Sequence, residues 1–321
     1  MPITSSETAA WRDRILSGDL RALARAATAI ENQSRAGREL ISALFPQTGR
    51  ALIIGITGPP GAGKSTLVDQ MVTLIRAAGK TVGVIAVDPS SPFSRGAILG
   101  DRIRMQRHHA DPGVFIRSMA SRGKLGGLAR GTLEMALLLD AAGRDHVIIE
   151  TVGVGQDEVE IARLADVTVV VLVPGMGDDV QASKAGIMEI ADVFAINKAD
   201  LPGAERLEQE IRAVQSVAND SGGATAAPIR RVVSADGAGV ADLIEVIQDV
   251  YRARGAQSRS VATWSLRLTD LLRDEFLESL PAEAIQEHAA RLAEKIEDPY
   301  AALAALVRVI KSRHMEQEKS V

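Results

Sequence analysis

The stretch Gly58-Pro59-Pro60-Gly61-Ala62-Gly63-Lys64-Ser65-Thr66 combines residue types and spacing that point to one kind of ligand. Its glycines let the backbone turn N–H groups inward, and a helix beginning there adds positive potential, so a polyphosphate fits the loop. Lys64 is spaced to reach β- and γ-phosphates, and the Ser65 hydroxyl is spaced to sit on Mg²⁺. A glycine-rich strand-to-helix turn without a ligand is the alternative. Against it stand the Lys-Ser pair and both flanks. Leu52, Ile53, Ile54 and Ile56 form a strand-like apolar run before the loop, and Leu67, Val68, Met71 and Leu74 recur at helical spacing after it.

A second set of residues could read a base. Asn197-Lys198-Ala199-Asp200 follows the apolar run Val193–Ile196. An aspartate there can accept from both guanine N1–H and the exocyclic amine, a donor pair that adenine lacks. The lysine stem can cover the base, and the asparagine can tie this loop to the phosphate loop. Ser234-Ala235-Asp236, beyond a further strand, is a candidate backbone contact to the guanine oxygen. GTP and GDP are therefore the expected ligands.

Carboxylates and cations supply a third set. Glu150 ends the run His146–Ile149, where a carboxylate can hold Mg²⁺ through water, and Gly153 lets a backbone N–H approach a γ-phosphate. Asp88 ends another apolar run and Asp101 lies beyond a glycine-bearing loop; each could bind Mg²⁺ or orient the attacking water. Arg95, Arg102 and above all Arg104 are candidates to neutralise charge in the transition state. His108-His109 reads as surface or packing, since no cysteine or third ligand stands nearby. Pro174–Asp179, with Gln181 and Lys184 at its far end, follows a strand and can move with nucleotide state.

Strands and helices must alternate to place these residues. Candidate strands are Leu52–Thr57, Val82–Val87, Val114–Ile116, His146–Ile149, Val167–Val173, Val193–Ile196 and Arg231–Val233. Most are separated by helical stretches, the rhythm of a parallel sheet covered on both faces. The fold class expected is α/β, a P-loop NTPase domain with a mostly parallel sheet flanked by helices, plus N- and C-terminal helical extensions. Residues 1–46 form the first extension, 47–255 the nucleotide domain and 256–321 the second extension. In the first, Thr4-x-x-Glu7 and Gly18-Asp19 are helix signals, and Leu40–Phe45 is a short helix. In the last, Trp264, Leu268, Leu272, Phe276 and Leu280 share a face, Pro281 starts a helix that carries Ile285, His288, Leu292 and Ile296, and Asp298-Pro299 caps another.

Composition excludes several classes. A net charge of −4 over 321 residues argues against nucleic acid or an anionic membrane as the main partner. No apolar run is long enough to span a bilayer, and the N-terminus lacks a signal-peptide core, so the cytoplasm is the expected compartment. The absence of cysteine excludes disulfides, thiolate metal sites and a cysteine nucleophile.

Gly58–Thr66, Val87-Asp88-Pro89-Ser90-Ser91 through Gly100-Asp101-Arg102, Glu150-Thr151-Val152-Gly153-Val154-Gly155-Gln156 and Asn197–Asp200 together resemble the MeaB/ArgK family. Its members are GTPases associated with adenosylcobalamin-dependent methylmalonyl-CoA mutase. The likeness covers roughly residues 50–255. It implies a GTP-driven chaperone that protects the mutase and gates cofactor loading, with Asp88, Asp101 and Glu150 as magnesium and switch carboxylates. It also implies that Pro174–Lys184 is a switch sensing the mutase, with Gln181 and Lys184 at its functional positions, and that the C-terminal helices form a homodimerisation arm. Two other classes share the phosphate loop. A metallochaperone GTPase commonly carries Cys-x-Cys or His-rich motifs, which this chain lacks; a P-loop kinase using ATP fits poorly with Asn197–Asp200.

Overall fold

The computed structural model describes residues 5–89, 105–108, 110–121, 127–151, 157–175, 188–220, 226–255 and 261–318. The chain divides into two compact units, Met1–Ser260 and Val261–Val321.

The first unit is built on one sheet of β1 (Leu52–Thr57), β2 (Val82–Pro89), β3 (Val114–Ser121), β4 (His146–Thr151), β5 (Val167–Leu172), β6 (Val193–Ile196) and β7 (Ile229–Arg231). The strand order is β3-β2-β4-β1-β5-β6-β7, and neighbouring strands run parallel. β1, β4 and β5 are buried along their whole length, as aliphatic runs on a doubly covered parallel sheet must be. One face packs on α4 (Lys64–Ala77), through Leu67, Val68 and Met71 against Ile54 and Ile56. The other face carries Ile53, Val147 and Ile149, covered by α2 (Leu20–Glu31), α3 (Arg35–Leu44), α5 (Gly127–Ala141) and α6 (Asp157–Leu164). The N-terminal helices, with α1 (Ser5–Leu16) contributing Ile15, thus share a core with the sheet. Each such buried aliphatic side chain contributes about 1.5–3 kcal/mol. α7 (Ala204–Asp220) closes a third cluster with Phe194, Ile211 and Ile229, and α8 (Val240–Arg254) adds Leu243 and Ile247 beside α4.

At the amino ends of the strands, carboxylates receive the first backbone N–H groups. Asp140 accepts from Arg50 and Ala51 at 2.9 and 2.8 Å, Asp166 from Ile53 at 3.0 Å, and Asp192 from Thr168 at 2.8 Å. Asp145 does the same for Thr81 at 2.8 Å. Burial pushes the Asp145 carboxyl up, but the Thr81 N–H and hydroxyl and the Lys80 ammonium outweigh it and hold it below the usual range. These bonds seat the amino ends of β1, β2 and β5.

Expected boundaries move in β2, β3, β7 and α3. The last strand is Ile229–Arg231, not Arg231–Val233: Arg231 pairs with Ile196, Val232 is the exit, and Val233 turns back to bridge Ala238. β2 and β3 run on to Pro89 and Ser121, because an edge strand with Arg117 and Ser118 keeps its ladder after its apolar alternation stops. α3 begins at Arg35, earlier than Leu40, since the Ser34 hydroxyl accepts the Gly37 N–H and caps a turn with no apolar stripe. Asp19 caps α2 as its position implies, accepting from Arg21 and Ala22; Thr4 lies outside the described residues.

The second unit consists of α9 (Val261–Glu278), α10 (Ala282–Ala293) and α11 (Pro299–Glu318). The Asp298 carboxylate accepts from Tyr300 and Ala301 at 2.9 and 3.1 Å, which starts α11 behind Pro299. Leu268, Leu272 and Phe276 on α9, and Tyr300 and Leu303 on α11, are exposed. No helix among the described residues is long and apolar enough to cross a membrane.

Candidate active site

The carboxyl ends of β1, β4 and β6 lie at the same end of the parallel sheet, where ligands of open parallel sheets sit. The loop from Gly58 to Gly63 reaches α4 through positive φ at Gly58, Gly61 and Gly63. Gly58 is also forced by space, because a Cβ there would lie 2.1 Å from the Val171 carbonyl oxygen. Pro60, Gly61 and Thr66 are exposed and Pro59 half-buried, while Ala62 is buried beneath them, so the loop opens outward around a closed floor.

Lys64, at the first residue of α4, is buried and donates to the carbonyls of Gly58 and Pro59 at 2.7 and 3.0 Å. Its charge is thus held over the mouth of the loop by acceptors that a phosphate can replace. Ser65 donates its hydroxyl to Glu150 Oε1 at 2.5 Å, and Glu150 is buried at the end of β4. The Glu150 carboxylate thus reaches Ser65 directly. A hydroxyl and a carboxylate meeting at a phosphate loop are the hard oxygen donors Mg²⁺ prefers, so the residues present fit that ion.

Asn197 organises the loops beyond β6 and β7. Its Nδ2 donates to the Ala62 carbonyl at 2.7 Å, and its Oδ1 accepts from the Ser234 N–H and hydroxyl at 3.0 and 2.8 Å. One buried amide therefore ties three loops. The tie to Ser234 was not part of the sequence expectation; a serine two residues past the apolar Val232 was its only sign. Lys198 adopts φ +54° and lays its ammonium on the Gly61 carbonyl at 3.1 Å, which stretches its stem across the gap between the loops. Asp200 is exposed beside it, and Ala235 and Asp236 line the third loop, where the Asp236 carboxylate accepts the Ala238 N–H at 2.9 Å.

Asp88 stands in β2 opposite Ala120, at the same end of the sheet. Asp101, Arg104, Gly153, Gln181 and Lys184, with Arg95, Arg102 and Gln156, lie outside the described residues. His108 is buried with its Nε2 3.0 Å from Asp69 of α4, and Arg107 pairs with the same carboxylate. Sequence reasoning gave no role to Thr57, named only as the end of a strand, or to Thr151, named only within the Glu150–Gln156 motif. Thr151 donates to Thr57 at 3.1 Å, and both are buried.

A family model described as Methylmalonyl Co-A mutase-associated GTPase MeaB matches residues 23–284. A Pyrococcus abyssi (strain GE5 / Orsay) protein named as a GTPase is 57% identical over 208 residues, which span 65% of this chain and 64% of that relative. A Mus musculus protein named methylmalonic aciduria type A homolog, mitochondrial, is 30% identical over 326 residues, covering 94% of this chain and 79% of its own length. The crystal structure of a LAO/AO transport system kinase aligns with a TM-score of 0.68 and 27% identity, over 97% of this chain and 100% of that one.

Proposed function

The chain belongs to the MeaB family of methylmalonyl Co-A mutase-associated GTPases, and from that membership we propose that it is a Mg²⁺-dependent GTP hydrolase serving as chaperone to an adenosylcobalamin-dependent acyl-CoA mutase. The observation that carries the guanine reading is the Asn197 amide, bonded at once to the phosphate loop and to Ser234. That amide holds Asp200 and the backbone of 234–236 at a set distance from the phosphates, as a reader of one particular base requires. Family membership supports the client, methylmalonyl-CoA mutase or a related enzyme.

In this reading Lys64 turns from the carbonyls of Gly58 and Pro59 to the β- and γ-phosphates, while the N–H groups of residues 61–66 wrap the chain of phosphates. Ser65 and Glu150 would hold Mg²⁺, which would supply neutralising charge on the phosphate oxygens. Asp88 and Asp101 complete the magnesium and water-orienting carboxylates, Arg104 faces the developing charge, and Gly153 offers its N–H to the γ-phosphate. Asp200 accepts from the base, Lys198 covers it, and Ser234, Ala235 and Asp236 border its oxygen. Gln181 and Lys184 sense the mutase. Residues 1–46 and 47–255 act as one nucleotide-dependent body, and 256–321 pair two chains into a homodimer in the cytoplasm.

Calorimetry with GTP and ATP in Mg²⁺ tests the nucleotide; tighter binding of ATP would overturn it. Co-purification from the native host with and without a non-hydrolysable GTP analogue tests the client: a cobalamin-dependent mutase is expected in a nucleotide-dependent amount, and its absence under both conditions removes the chaperone role.

A further inference from the structure

Thr57 and Thr151 occupy matching places at the carboxyl ends of adjacent strands. Ile56 of β1 pairs with Glu150 of β4, so the next residues on each strand, Thr57 and Thr151, stand side by side. They are the last residues of β1 and β4: Thr57 immediately precedes Gly58 of the phosphate loop, and Thr151 immediately follows Glu150. Thr57 and Thr151 are 0% and 1% exposed, and the Thr151 hydroxyl donates to the Thr57 hydroxyl at 3.1 Å.

The alternation of a strand places this bond on one face of the sheet and the Glu150 carboxylate on the other. Gly55, two residues before Thr57, lies on the α6 face, where a Cβ would come 2.4 Å from Ile161. Glu150 points instead toward α4 and meets Ser65. The end of β4 is therefore held from both sides, by a hydroxyl pair on one and by the candidate magnesium donors on the other. Valine has nearly the shape of threonine and would suit these runs of isoleucine and valine. A buried hydroxyl costs stability unless bonded, and the bonded pair returns little net gain. Stability alone gives no reason for two hydroxyls here; the distance between strand ends does. On the other side of β1 the chain is closely bounded too, since a Cβ at Gly58 would lie 2.1 Å from the Val171 carbonyl oxygen of β5.

We propose that the Thr57–Thr151 hydroxyl bond is a positioning device that sets the spacing between the phosphate loop and Glu150, and thereby tunes Mg²⁺ affinity in the nucleotide complex. Neither residue touches nucleotide; they act through Gly58 and Glu150. The inference rests on the guanine-nucleotide site proposed above.

The test uses the full chain, the fluorescent probe N-methylanthraniloyl-GDP, and Mg²⁺ titrated in from excess EDTA. Thr151→Val is expected to raise the apparent Mg²⁺ dissociation constant about tenfold, leave probe affinity in EDTA unchanged, and keep the melting temperature within a few degrees of the parent. Thr151→Ser is expected to restore the parental value. Thr151→Val with a Mg²⁺ constant within twofold of the parent would overturn the proposal, as would a Thr151→Ser variant that behaves like Thr151→Val. Should Thr151→Val not fold, the Thr57→Ser/Thr151→Ser double variant carries the test: it keeps both hydroxyls and drops both methyls, so a parental Mg²⁺ constant supports the proposal and a weakened one overturns it. A parent that fails to bind the probe would remove the nucleotide site itself, an outcome distinct from all of these.

Discussion

In the proposed site two side chains, Lys64 and Asp200, concentrate the ligand chemistry. Lys64 is the charge buried at the loop mouth, and its bonds to Gly58 and Pro59 hold it beside the phosphate position before any ligand arrives. Charge-assisted hydrogen bonds are worth about 1.5–3 kcal/mol each, so Lys64→Ala should weaken GTP binding on the order of a hundredfold and abolish turnover. Unchanged turnover would remove Lys64 from the site. Asp200 is exposed, and the proposed site gives it the reading of the base. Asp200→Ala should cost about ten- to hundredfold in GTP affinity. It should also bring the preference for GTP over ITP, which lacks the exocyclic amine, toward unity; a preserved GTP/ITP ratio measured by calorimetry would mean that another group reads the amine.

Between residue and molecule, the loops work because their backbones are held in place. Gly61 and Gly63 both have positive φ, yet they differ in surroundings: a Cβ at Gly61 meets nothing within 4 Å, whereas one at Gly63 lies 2.4 Å from Asn197 Nδ2. Gly61→Ala should therefore cost only the left-handed backbone penalty of about 1–2 kcal/mol. Gly63→Ala should also push Asn197 off Ala62 and Ser234, so its loss of nucleotide affinity should exceed that of Gly61→Ala by tenfold or more. Equal affinities for the two variants would show that the Asn197 tie is dispensable. At the far end of the sheet, the Arg76 guanidinium donates to both oxygens of Asp111 at 2.7 and 2.9 Å and holds that carboxyl below its ordinary value, with help from the Gly113 N–H. A carboxyl depressed in the fold stabilises fully above its unfolded value, about 3.9, and that contribution fades as pH falls through the lower folded value. Urea midpoints of parent and Asp111→Asn should stay apart at pH 5–7 and converge below about pH 4; a constant gap down to pH 2.5 would show that the ion pair contributes nothing.

The molecule as a whole presents two units with contrasting surfaces. The first buries its aliphatic strands from both sides. In the second, Leu268, Leu272 and Phe276 fall on one stripe of α9 with exposures of 61%, 58% and 41%. The proposed homodimer would cover this apolar stripe. Removing residues 256–321 should leave a monomer by light scattering with GTP binding retained, since the described residues around the phosphate and base loops all precede that segment. A truncated chain that still dimerises would place the pairing surface in the first unit.

Much of this was legible along the chain because local spacing encodes local chemistry. The glycine loop, its lysine and serine, the Asn-Lys-x-Asp tetrapeptide, the aliphatic strands and the Asp19 and Asp298 caps are each written within a few residues. Partnerships across the fold had no such record. Which carboxylates seat which strands, that Asn197 would hold Ser234 as well as Ala62, and that Thr57 would meet Thr151 all depend on the order in which the strands lie side by side. The shifted start of β7 and the early start of α3 belong to the same class, since a neighbouring strand and a capping hydroxyl decided them. The residues by themselves thus determined what chemistry was present and roughly where along the chain. Only the tertiary structure decided which groups share a face and at what distance, because sheet order brings together positions whose separation in sequence carries no information about their separation in space.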